Sequence, residues 1–115
     1  MSTVEWLDFA TKNVPDAVKH GRHAHAVFTI GTKVYLHGGR GEDLNYMDDL
    51  LILDSAKQTW KTARKAARQP CPRAYHTATA IDGLDRAIIF GGSASGAEAG
   101  TELLNDSWLF TTSDG

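Results

Sequence analysis

The sequence predicts an all-β fold built from about two four-stranded antiparallel units. Two observations carry this. A set of short landmarks recurs once, in the same order, roughly fifty residues further along the chain. Between the landmarks lie short apolar runs bounded by turn residues, the pattern of strands rather than helices.

Arg22-His23-Ala24-His25 matches Arg73-Ala74-Tyr75-His76, an Arg-x-x-His pair offset by 51 positions (73 − 22). Gly38-Gly39 matches Gly91-Gly92 at an offset of 53 (91 − 38). Asp48-Asp49-Leu50 matches Asn105-Asp106-Ser107 at an offset of 57 (105 − 48), each ahead of a short apolar run. The offsets drift while the order holds, as when insertions accumulate in loops.

In chain order, the first unit reads as a strand from Ala24 to Ile30, a turn at Gly31-Thr32, and a strand from Lys33 to His37. A polar loop, a third strand from Leu50 to Asp54, a turn over Ser55 to Gln58, and a fourth strand at Thr59-Trp60-Lys61 follow. The second unit gives strands Thr77 to Ile81, Arg86 to Phe90 and Ser107 to Thr111, with a turn at Asp82-Gly83. Val4-Glu5-Trp6-Leu7 reads as a further Trp-bearing strand, 16 residues (22 − 6) ahead of Arg22, as Trp60 stands 13 (73 − 60) ahead of Arg73. The boundaries are therefore 1–21 for an N-terminal strand completing a neighbouring unit, 22–66 for the first repeat, and 67–115 for a second repeat lacking its fourth strand.

This order resembles the kelch repeat, in which each four-stranded unit is one blade of a β-propeller. The resemblance spans about Trp6 to Phe110 and rests on Arg22, His25, Gly38, Gly39, Asp49 and Trp60 in the first unit, and on Arg73, His76, Gly91, Gly92 and Asp106 in the second. Three departures stand out: Gly21 where a proline is usual, Trp108 on the third strand, and no closing tryptophan in the second unit. The resemblance implies that the repeated Arg and His groups tie neighbouring blades together by hydrogen bonds, with Asp49 and Asp106 as partners. It implies structural glycines too, since a Cβ would obstruct the neighbouring chain where the second strand ends. A phosphate loop would need a helix directly after the glycines and a Lys followed by Ser or Thr, and neither copy has them.

Composition narrows the function classes. The 115 residues carry a net charge of −2 with acids and bases well mixed, so no basic stripe favours nucleic acid and no polybasic segment favours anionic lipid. The longest apolar runs, Leu50 to Leu53 and Ala87 to Phe90, are too short to span a bilayer. The single cysteine, Cys71, forms no internal disulfide and sits between two prolines in a connecting loop. The expectation is a soluble, cytoplasmic protein that needs no cofactor and no metal.

Kelch-like propellers include binding modules and a few enzymes, and their inter-strand loops gather on one face. The resemblance therefore implies a non-catalytic scaffold that binds a protein partner through the loops Arg40 to Met47 and Ser93 to Leu103. Its candidate contacts are Arg40, Glu42, Asp43, Asn45, Tyr46, Tyr75, Ser93 and Ser95, and the small residues from Ser93 to Gly100 suit a flexible loop that orders on binding. The alternative is a metal-binding or enzymatic propeller using His23, His25 and His37, with His20 nearby in sequence; His23 and His25 share a strand face, and His37 lies on the strand expected to pair with it. Two blades do not close a ring, so the reading calls for the remaining blades from a longer propeller or from a homo-oligomer, three copies giving six blades and Trp6 of one copy completing the last blade of the next.

Overall fold

The computed structural model describes residues 3–96 and 101–112. A one-turn helix, α1 (Asp16–Lys19), leads into β1 (Arg22–His23). The first large sheet follows as β2 (Ala26–Ile30), β3 (Lys33–His37), β5 (Leu50–Asp54) and β6 (Thr59–Thr62), in that spatial order and antiparallel throughout. Between β3 and β5 the short β4 (Arg40–Gly41) pairs back onto β1. The second sheet is β7 (Thr77–Ala80), β8 (Arg86–Ser95) and β9 (Thr101–Thr111), again antiparallel.

Local chemistry fixes the turns. The β2–β3 hairpin closes over Gly31-Thr32 with Ile30 opposite Lys33, the shortest connection that antiparallel strands use. At the β5–β6 turn the Asp54 carboxylate accepts the backbone N–H groups of Ala56 and Lys57, both at 3.0 Å, and these bonds lower its pKa.

Alternation along the strands sets two faces per sheet. Phe28 and Tyr35 point to one face of the first sheet and are buried, with Ile30, Leu50 and Ile52 around them. Ala78, Ala80, Ala87 and Phe110 of the second sheet pack against that face. Phe28 and Tyr35 stack at 5.0 Å, and Phe110 closes on them at 5.4 and 5.3 Å. The small alanines let the aromatic trio sit close, so the core lies between the two sheets and is what holds them together.

Three strand expectations differ from the structure. Val4–Leu7 forms no strand: the segment has no regular structure and Trp6 is 92% exposed, because no sheet edge lies opposite it. The Thr11 hydroxyl accepts from the Trp60 indole N–H at 3.2 Å, and the backbone joins the sheet at Lys12, in a parallel bridge to Thr59. The second and third strands of the second unit run well past the glycines, to Ser95 and from Thr101, so Ser93 and Ser95 belong to a strand and not to a flexible loop. Main-chain bonding explains this, since Ser93 exchanges both backbone bonds with Ala74 while its strand pairs β9 on the other side. Residues 97–100 of that expected loop lie outside the described residues.

Candidate protein-interaction face

Each double glycine bends the chain at the same end of its sheet. A Cβ on Gly38 would stand 2.6 Å from the Arg73 carbonyl oxygen and 2.8 Å from the His76 ring. On Gly92 it would stand 2.6 Å from the Ala74 carbonyl oxygen and 2.8 Å from His76 Cβ. Both glycines also adopt positive φ, +70° and +97°. The lead-in to the second unit thus runs directly over the glycines of both sheets. It is bonded there by Gly39 N–H to the Arg73 carbonyl (2.8 Å), Arg73 N–H to the Met47 carbonyl (3.1 Å) and Tyr75 N–H to the Ala24 carbonyl (2.9 Å).

The repeated charges are consumed in this scaffold. Arg22 donates to both carboxylate oxygens of Asp49, at 2.8 and 2.9 Å, and to the Gly38 and Ala17 carbonyls. Arg73, fully buried, donates to both oxygens of Asp106 at 2.8 Å and to the Gly91 carbonyl at 3.1 Å. The guanidinium first, then the Trp108 indole N–H at 2.8 Å, hold the Asp106 carboxyl well below the usual range. Trp108 therefore sits on the third strand to complete this pair. The sequence reading places these charge pairs between blades, but each closes within its own unit. Arg and Asp bracket the same Gly-Gly bend, whereas the buried contact of His37 with His76 joins the two units, beside the backbone bonds above.

The histidines do not converge. His20 faces Glu42 at 3.7 Å, His23 lies edge-on to Tyr75 at 6.4 Å, and His37 is buried against His76. Burial and Arg22 lower the pKa of His25. No group of three metal-ligating side chains occurs among the described residues. The reason is that His23 precedes β2 and pairs with Arg40, so it does not extend the strand that faces His37.

At the Gly-Gly end the two units enclose a groove of about 870 Å³. One wall is the β4–β5 loop, with Arg40, Leu44, Asn45 and Tyr46; the other is the tip of the β8–β9 hairpin, with Ala94, Ser95, Thr101 and Glu102; Cys71 and Pro72 lie between. The loop is prearranged. Arg40 donates twice to the Leu44 carbonyl, at 2.8 and 2.6 Å, and lies 4.7 Å from the centre of the Tyr46 ring. Asp43 accepts from the backbone and side chain of Asn45 at 3.0 and 2.9 Å. Hydrogen bonding with the Ser93 side chain, then with that of Thr101, lowers the pKa of the Tyr46 phenol.

Of the candidate contacts read from the sequence, Arg40, Asn45, Tyr46 and Ser95 line this groove. Ser93 is buried beneath it, with its backbone bonded to Ala74. Glu42 and Asp43 turn to a separate hollow beside His20 and Met47. Tyr75 is exposed against His23, outside the groove. The groove also takes in Leu44, Thr101 and Glu102, which fall within the two loops named from the sequence without being singled out there, and Cys71-Pro72, which fall outside them. The one available signal was that Cys71-Pro72 directly precedes the repeat arginine.

Two stacked antiparallel sheets with matching Gly-Gly bends define a segment of a β-propeller. The chain belongs to the kelch-repeat family: the family model for the KLHDC2/KLHL20/DRC7 Kelch-repeats domain matches residues 1–115. It is 34% identical over 102 residues to Tip elongation aberrant protein 1 of Schizosaccharomyces pombe, covering 85% of this chain and 8% of that protein. It is 31% identical over 103 residues to the Rab9 effector protein with kelch motifs of Mus musculus, 84% of this chain and 27% of that protein. To Kelch domain-containing protein 2 of Bos taurus it is 30% identical over 92 residues, 80% of this chain and 21% of that protein. The chain thus spans less than a third of the length of these relatives.

Proposed function

We propose that this chain is a protein-interaction module of a kelch propeller, acting by binding rather than catalysis, and that the groove between the β4–β5 loop and the β8–β9 hairpin is its contact surface. The observation that carries the reading is the prearranged wall of Arg40, Leu44 and Tyr46. The Arg40 guanidinium lies over the Tyr46 ring, two residue types in which interface energy concentrates, and Leu44 beside them is 57% exposed. The catalytic alternative finds less support, because the repeated Arg, His and Asp side chains are engaged in holding the sheets. The name of the Rab9 effector relative is consistent with a binding role.

Mutational calorimetry against a purified partner, identified by affinity capture, tests this. Arg40→Ala and Tyr46→Ala are expected to weaken binding tenfold or more without changing the unfolding midpoint. Lys57→Ala, in the turn at the opposite end of the strands, is expected to leave affinity unchanged. Full affinity in both groove variants would overturn the choice of face.

A further inference from the structure

We propose that the connector from β6 to β7 is a second contact surface, one that takes a short acidic segment of a protein partner on Lys61, Arg64, Lys65 and Arg68. The inference goes beyond the groove and does not depend on it.

The net charge of −2 conceals an uneven spread. Residues 55–81 carry six of the twelve Lys and Arg residues and no Asp or Glu. The rest of the chain therefore holds fourteen acids against six bases, a balance of −8 (6 − 14). Within 55–81, Arg73 is buried on Asp106, and Lys57 stands in the β5–β6 turn at the far end of the sheet. The other four cations lie within residues 61–68, and all are exposed.

The connector is anchored beneath them. Ala63 N–H extends the β6 ladder to the Leu50 carbonyl at 2.9 Å. Gln69 donates to the Asp48 carboxylate at 3.2 Å, and its side-chain oxygen accepts from Ala66 N–H at 3.0 Å. Arg64, Lys65 and Arg68 rim one hollow there. Arg68 lies over the Trp108 ring, 5.6 Å from its centre, and its planar fork of N–H donors matches the geometry of a carboxylate. Lys65 meets Asp48 at 3.2 Å, a pair open enough to solvent for an arriving carboxylate to compete with it. Among the described residues, the side chains of Lys61 and Arg64 have no hydrogen-bond or ionic partner.

Charge decides the kind of partner. A nucleic-acid strand or an anionic bilayer presents phosphates over a span wider than the connector, so its further charges would meet the −8 of the surrounding chain. A segment with a few Asp or Glu side chains places its charge on the four cations alone.

Fluorescence anisotropy on the full chain tests this with a fluorescein-labelled peptide of glutamates and glycines, beside its glutamine counterpart. Oligothymidylate and phosphatidylserine vesicles serve as competitors. The glutamate peptide is expected to bind and the glutamine peptide to fail. An exposed ion pair contributes roughly three- to fivefold in affinity, so Arg64→Gln combined with Lys65→Gln is expected to weaken binding about tenfold. The unfolding midpoint is expected to stay unchanged, because both side chains are exposed. Lys57→Gln is expected to leave affinity as it is. Absence of binding, affinity indifferent to the paired substitution, or displacement by oligothymidylate or vesicles at lower charge concentration than by unlabelled peptide would each overturn the proposal. Arg40→Ala leaves the affinity for the glutamate peptide unchanged, so failure here and failure of the groove are separate results.

Discussion

His37 Nδ1 lies 3.0 Å from His76 Nε2, the rings edge to face at 85°, and this bond joins the end of β3 to the lead-in of β7. Both residues are buried, and the Nδ1 of His76 has no protein partner. One ring must donate and the other accept, so the contact needs a neutral acceptor.

Acid should therefore loosen the two-sheet unit. Burial, then His37 and Arg73, push the His76 pKa down to about 4, and burial and Arg73 lower that of His37 against the opposing pull of Asp49 and Asp48. A depressed histidine pKa means that the unfolded chain takes up protons first. The stability is complete above about pH 6.5 and is lost as pH falls toward 4. Urea unfolding at pH 7 and pH 4.5 should differ by roughly 1–3 kcal/mol. In His37→Phe, which places in the first sheet the residue type that Phe90 gives the second, the difference should shrink. An undiminished fall would locate the acid sensitivity elsewhere.

Gly92→Ala should cost about 2–4 kcal/mol, because its Cβ meets backbone at 2.6 Å and its φ is +97°. Gly21→Ala, with nothing within 4 Å and no positive φ, should be near neutral. Equal melting temperatures for the two variants would refute the close approach at the bend.

Arg73→Ala should cost about 2–4 kcal/mol, since it opens a buried void and leaves the Gly91 carbonyl without its side-chain donor. Asp106→Asn should cost less than half of that, because the Asp106 side chain is 41% exposed and water reaches it. The exposed pair of Lys19 and Asp16 sets the contrast: Lys19→Ala should shift stability by less than about 0.5 kcal/mol. Denaturant midpoints of the three variants give the ranking directly.

The strands of the first sheet were legible in the sequence because their apolar runs are bounded by turn residues. Lys33–His37 and Leu50–Asp54 match residue for residue. The second sheet was less so. Ser-Ala-Ser after Gly91-Gly92 has no strand signal of its own, and becomes strand through the Ala74 bridge and the β9 ladder, contacts between residues far apart in sequence. The repeat identified Arg22, Asp49, Arg73 and Asp106, but spacing alone does not say whether a charge pair closes within a unit or between units. The groove was legible on one wall, where Arg40, Asn45 and Tyr46 share a loop. The opposite wall was legible as the stretch Ser93 to Leu103, but its strand character rests on the pairing of β8 with β9 and with Ala74.

Site-specific photocrosslinking distinguishes the two ends of the sheets as the partner's seat. A benzophenone amino acid replaces Leu44 in the groove wall and, in a second variant, Lys57 at the far end of the strands, each in the presence of the purified partner. A partner bound in the groove gives a crosslink from position 44 and none from position 57. Crosslinking from 57 with none from 44 would contradict it, placing the partner at the opposite end of the sheets from the Gly-Gly bends.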